Sequence, residues 1–153
     1  TSTLCDVLAE FGRVSVLEQD TSEALWQDIR DIRILDEAAE QVWKLSVTPS
    51  HVSEVITAIT AQTVIRFFCD WAGGLIILSG AGEGLHQIVR SAVEAHGGGH
   101  ASLLRAPDTM RRTIASFHPQ PTALAGLHDR LRQSFDPLHL LNPGKMGSVS
   151  RDA

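Results

Sequence analysis

Between Thr63 and Gly80 the chain reads TVIRFFCDWAGGLIILSG, two β-branched and aromatic runs on either side of a short Ala-Gly-Gly. Runs of that length and composition are strands, and so short a glycine-bearing turn joins them as an antiparallel hairpin. Two strands alone are marginal in water, so the flanking sequence has to supply more strands and a layer to cover them.

It does so on both sides. Upstream, QVWKLSV alternates Val42, Lys44 and Ser46 with Trp43, Leu45 and Val47, the period of a strand. Pro49-Ser50 ends that strand and opens a helix with Val52, Val55, Ile56 and Ile59 on one side. Downstream, GLHQIVRSAVEAHGGG is a helix closed by glycines, and HASLLRA is a further strand. From Gln41 to Ala106 the order is β-α-β-β-α-β. That order predicts an α+β protein of the ferredoxin-like type, an antiparallel sheet with both helices on one face.

Extensions flank this core, which runs over about 41–106. STLCDVLAEFG has helical spacing and stops at Gly12, and RVSVLE has the content of a short strand. Asp20 with Glu23 resembles a capping box for a helix containing Leu25, Trp26, Ile29 and Ile32. PTALAGLHDRLRQSF predicts a final helix with Leu124, Leu127, Leu131 and Phe135 on its apolar stripe. FDPLHLLNPGKM then closes on a polar hook stiffened by Pro137 and Pro143.

A chain of 153 residues has the size of one domain with appendages. Its 18 acidic and 13 basic residues give a net charge of -5, and the longest basic run is Arg111-Arg112, which argues against a nucleic-acid partner. Cys5 and Cys69 lie far apart without CxxC spacing, so neither a disulfide framework nor a zinc knuckle is expected, and a cytoplasmic setting fits. No apolar run approaches the roughly 20 residues that cross a bilayer. Because the chain starts at Thr1 and reads as a helix almost at once, it is expected to be a fragment of a longer one.

Four stretches invite a functional reading. SGAGEGLHQIV follows a strand and opens a helix, but its spacing is GxGxG, so a tight strand-to-helix turn is expected over a dinucleotide site. His96 and His100 have i, i+4 spacing, yet Gly97-Gly98-Gly99 breaks the helix a metal pair needs, and no metal is expected. In GGGHASLLRA the glycines permit a close backbone approach, and His100 follows them directly. Strand alternation puts His100 and Ser102 on one face and Arg105 on the other unless a bulge intervenes. In SFHPQP, His118 sits on a segment that Pro119 and Pro121 hold extended, a better place for a site than a helix face. No GxSxG or reactive-cysteine context supports nucleophilic catalysis.

LWQDIRDI, VWKLSV, DWAGGLIIL, GGGHASLLRA and FHPQPTALAGLHDRLRQSFDPLHLLNPGKM, in that order, resemble the C-terminal half of the FAD-binding subunit of glycolate oxidase, within the vanillyl-alcohol oxidase type of FAD-linked oxidases. The resemblance runs from about Ala24 to Met146, and the closing Asp-Pro and Asn-Pro-Gly-Lys are its most specific part. Many members of that family have Arg where this chain has Lys145.

The resemblance implies residues 1–134 as a cap and substrate domain, and residues 135–153 as a return segment towards a missing FAD-binding domain. Asn142, Gly144 and Lys145 would then lie by the cofactor. It further implies oxidation of a small 2-hydroxy acid such as glycolate, with hydride passing to FAD while a base takes the hydroxyl proton and a cation fixes the carboxylate. His118 and His100 are the candidate bases, and Arg105 and Lys145 the candidate cations. Implied partners are a second flavin subunit and an iron-sulfur subunit, with any inner-membrane association peripheral and through them. Whether this subunit does the chemistry or supports the other flavin subunit stays open.

The rival is a stand-alone ferredoxin-like module for ligand binding or oligomerisation, without catalysis. It requires the segment from Phe135 onward to fold back on its own domain.

Overall fold

The computed structural model describes residues 2–35 and 39–141. They divide into two compact units, with the division just before residue 38.

The first unit is helical. α1 (Ser2–Ala9) and α2 (Gln19–Arg30) are joined by residues 13–18, which are neither helix nor strand. The strand expected in RVSVLE is therefore absent, since β-propensity yields a strand only where another strand pairs with it, and this unit contains none among its described residues. α2 also begins one residue before the expected cap. Glu18 occupies the cap position without a side-chain hydrogen bond, and Asp20 falls inside the first turn, where a carboxylate still suits the helix dipole. The helix ends at Arg30, and Ile32 lies beyond it with φ 62°.

The second unit carries the sheet. β1 (Gln41–Val47), α3 (Val52–Thr60), β2 (Ile65–Asp70), β3 (Leu75–Gly80), α4 (Leu85–Ala95) and β4 (Gly99–Arg105) follow in the expected β-α-β-β-α-β order. The strands lie β2-β3-β1-β4, all antiparallel, the ferredoxin-like α+β arrangement. α5 (Asp108–Arg111), which has no counterpart in the sequence reading, and α6 (Thr122–Phe135) complete it.

Register explains the core. Trp43 lies opposite Leu78 and Leu103, and Leu45 opposite Ile76 and Ala101, so these rows share one face. On that face they pack with Val55 and Ile59 of α3, with Leu85, Val89, Ala92 and Val93 of α4, and with Ile114 beyond α5. α3 and α4 thus cover the same side of the sheet.

The three glycines before His100 do permit a close approach, and what approaches is this chain. Gly99 has φ +136°, and a Cβ there would run into the backbone carbonyl of Ser46 on β1. Gly98, with φ +76°, faces open space, and its N–H donates to the Val93 carbonyl to close α4. Gly99→Ala is expected to destabilise the protein by roughly 2–3 kcal/mol in a urea melt, and Gly98→Ala by only about 1 kcal/mol. Equal losses at the two positions would contradict the Ser46 contact.

Candidate functional site

Trp43, fully buried at the centre of β1, organises the surroundings of the candidate residues. Its indole N–H donates to Gln41 Oε1 at 3.2 Å, and Gln41 Nε2 donates to the Gly82 carbonyl at 2.7 Å. Gly82 in turn donates its N–H to Glu40 Oε2 at 2.9 Å. The glycine-rich turn between β3 and α4 is therefore tied on both sides to the start of β1. A phosphate approaching the Gly82 amide would have to displace a carboxylate already bound there. The described residues of this turn do not fit the pyrophosphate of a dinucleotide or of FAD.

On the other side, the Arg90 guanidinium of α4 lies 5.4 Å from the Trp43 ring centroid, a cation–π stack. Arg90 Nη2 also donates to the carbonyls of Ala115 and Phe117. Burial pulls its pKa down, with Glu94 opposing, from an ordinary value so high that it stays charged. Arg90 thus holds residues 115–117 beside the sheet. No motif in the sequence singles out Arg90, although Arg90 and Glu94 stand at i, i+4 on α4 directly after the apolar Val89 and Val93.

Along the outer edge of β4, the segment that Arg90 holds replaces a neighbouring strand. Leu103 N–H donates to the Ser116 carbonyl at 2.7 Å, and Ala101 N–H donates to His118 Nδ1 at 3.3 Å. An imidazole that accepts at Nδ1 carries its proton on Nε2, which lies 3.5 Å from Glu94 Oε1. Burial pushes the His118 pKa down. Arg90 and His100 add to that shift and Glu94 opposes it. With its side chain only 10% exposed, His118 is neutral, fixed in one tautomer and without a spare lone pair. It serves the backbone of β4.

His100 and His118 come together, with ring centroids 6.1 Å apart and planes at 78°. His100 is exposed, and among the described residues no hydrogen bond engages its ring. As a proton acceptor it is the better placed of the two.

Arg105 shares its face. Trp43 pairs with Leu103 but Val42 with Arg105, so Leu104 is an extra residue, and this bulge turns Arg105 to the side of His100 and Ser102. The two stand at opposite ends of β4, roughly 15 Å apart along the backbone. Arg105 approaches the His100 end only by laying its side chain along the strand.

Of the hook, residues up to Leu141 are described, while Asn142, Gly144 and Lys145 lie outside the described residues. The hook opens as a turn on Asp136, whose carboxylate accepts from Leu140 N–H and Leu141 N–H, both at 2.9 Å. Those bonds hold the Asp136 carboxyl below its usual pKa. Leu138, Leu140 and Leu141 on this turn are exposed. So is the α6 stripe of Leu124, Leu127, Leu131 and Phe135, the last at 80%. Among the described residues, no three His, Cys, Asp or Glu side chains group to hold a metal, and no helix is long and apolar enough to cross a membrane.

This chain is similar to "Glycolate oxidase subunit GlcE" of Escherichia coli (strain K12), at 28% identity over 131 residues. The match covers 84% of this chain and 32% of that protein, so the chain spans about a third of the length of the curated relative it matches. It supports a relationship at the level of the family. No family model matches the sequence, and no solved structure matches it.

The His118 tautomer has a consequence in acid. The unfolded chain protonates this histidine near pH 6.5, whereas burial, with Arg90 and His100 adding to it, makes the folded site resist until lower pH; an imidazolium there would turn an N–H against that of Ala101. The stabilisation is complete above about pH 6.5 and is lost as pH falls through the depressed folded value. Amide exchange at Ala101, corrected for intrinsic pH dependence, is expected to accelerate over that window, and His118→Phe is expected to exchange fast at every pH. A flat Ala101 profile in the unaltered protein would contradict the hydrogen bond.

Proposed function

We propose that this chain is the C-terminal cap portion of a flavin-dependent oxidoreductase subunit. Its substrate is a small 2-hydroxy acid such as glycolate, and FAD is held mainly by sequence outside these 153 residues. The observation that carries this reading is the similarity to a glycolate oxidase subunit over most of the chain. Two structural features support it. The glycine-rich turn is closed on its own chain and offers no pyrophosphate site. The apolar stripe of α6 and the leucines after it lie exposed, as expected of a surface that packs against a further domain.

The same exposure weighs against a stand-alone module, which needs the chain after Phe135 to fold back. The turn on Asp136 instead leaves its three leucines in solvent.

In this reading residues 1–134 form the cap, and residues 135–153 return to the FAD-binding domain with Asn142, Gly144 and Lys145 beside the cofactor. His100 takes the hydroxyl proton, His118 fixes the edge strand beside it, and Arg105 or Lys145 binds the carboxylate. The whole subunit works with a second flavin subunit and an iron-sulfur subunit in the cytoplasm.

The test is the full subunit purified apart from the partner flavin subunit, so that any flavin it carries is its own. It is expected to purify with bound flavin, and glycolate added without oxygen is expected to bleach the flavin's visible absorbance. His100→Ala should slow that bleaching by roughly 10²- to 10⁴-fold. A colourless subunit contradicts the reading. Flavin that stays oxidised with glycolate assigns the chemistry to the partner flavin subunit and removes the role given to His100.

A further inference from the structure

The two ends of the sheet are treated differently. At the β4 end, residues 116–118 take the outward N–H groups of Leu103 and Ala101. At the other end β2 is the last strand, and among the described residues nothing pairs with its outer side. Edge strands that must stay single are shortened, bulged, covered, or given Pro or charged side chains, and of these β2 has only the charges of Arg66 and Asp70 among the described residues. β2 runs unbroken for six residues, IRFFCD, with two phenylalanines at its centre and an exposed Val64 leading into it. Its register with β3 is regular throughout.

Its charges are placed symmetrically. Arg66 stands two residues before Phe68 and Asp70 two residues after it, all three on the sheet face opposite the helices. When a second copy approaches antiparallel about Phe68, Arg66 of each copy falls opposite Asp70 of the other, and Phe68 falls opposite itself. Phe67 then meets Cys69 on the other face. A slip of one residue would place Arg66 against Cys69 and put the two helix layers on opposite sides of the joined sheet.

We propose that β2 is a self-pairing edge, through which two copies of this chain form one continuous eight-stranded antiparallel sheet centred on Phe68, with both helix layers on the same side. The occupant is a second copy because the charge pattern is complementary to itself in one antiparallel register.

Sedimentation equilibrium of the chain, with its charge variants, tests this. The unaltered chain is expected to dimerise with concentration. Arg66→Asp alone and Asp70→Arg alone each set like charges opposite one another and should weaken the dimer by roughly tenfold or more. The double variant Arg66→Asp/Asp70→Arg should restore it to within about threefold.

Asp70 also accepts the Trp71 N–H at 2.7 Å, so a second variant leaves that turn intact. Phe68→Cys, in a Cys5→Ser/Cys69→Ser background, should form an intermolecular disulfide on mild oxidation. A chain that stays monomeric, or binds a different strand in place of its own copy, overturns the proposal. So does a folded double variant that fails to regain the dimer, or a Phe68→Cys chain that does not cross-link.

Discussion

Trp43 is the fixed point of the sheet-bearing unit. A tryptophan buried this completely removes a large apolar area from water, but its indole N–H must find an acceptor, and a strand interior offers none. Gln41, two residues earlier on the same face, supplies it and passes the bond on to Gly82, which locks the turn into α4. The ring's open face is taken by Arg90, a contact worth about 0.5–2 kcal/mol. Arg90 also donates to the carbonyls of Ala115 and Phe117. One side chain thereby couples β1, the glycine-rich turn, α4 and the strap that closes the sheet edge.

That coupling decides what the two histidines can do. The strap brings His118 against β4, where its lone pair is taken by a backbone N–H and its proton points at Glu94. His100, one residue from the strand start, keeps its ring in solvent. Two histidines 6.1 Å apart therefore have different chemistry for a local reason, the direction in which Ala101 donates.

Much of this was legible in the residues. Alternation in QVWKLSV gave the faces of β1 correctly, because burial on one side of a sheet enforces a period of two. The βαββαβ order was readable because each apolar run carries its own punctuation at Pro49, at Gly73-Gly74 and at Gly97-Gly98-Gly99. RVSVLE failed as a strand because its propensity has no partner to act on. The bulge at Leu104 and the strap at residues 115–118 were hidden for a different reason. Both depend on contacts distant in sequence, Val42 for the first and Arg90 for the second, and no local pattern encodes them.

If this chain is one part of a larger flavin-binding subunit, the α6 stripe of Leu124, Leu127, Leu131 and Phe135 is the surface that meets the rest. Amide hydrogen exchange through Thr122–Phe135 tests that most directly, measured on this chain alone and on the full subunit purified with its flavin and partners. Fast exchange across the helix is predicted in the chain alone, with slowing by roughly a hundredfold or more in the full subunit. Equal exchange in the two samples would contradict it.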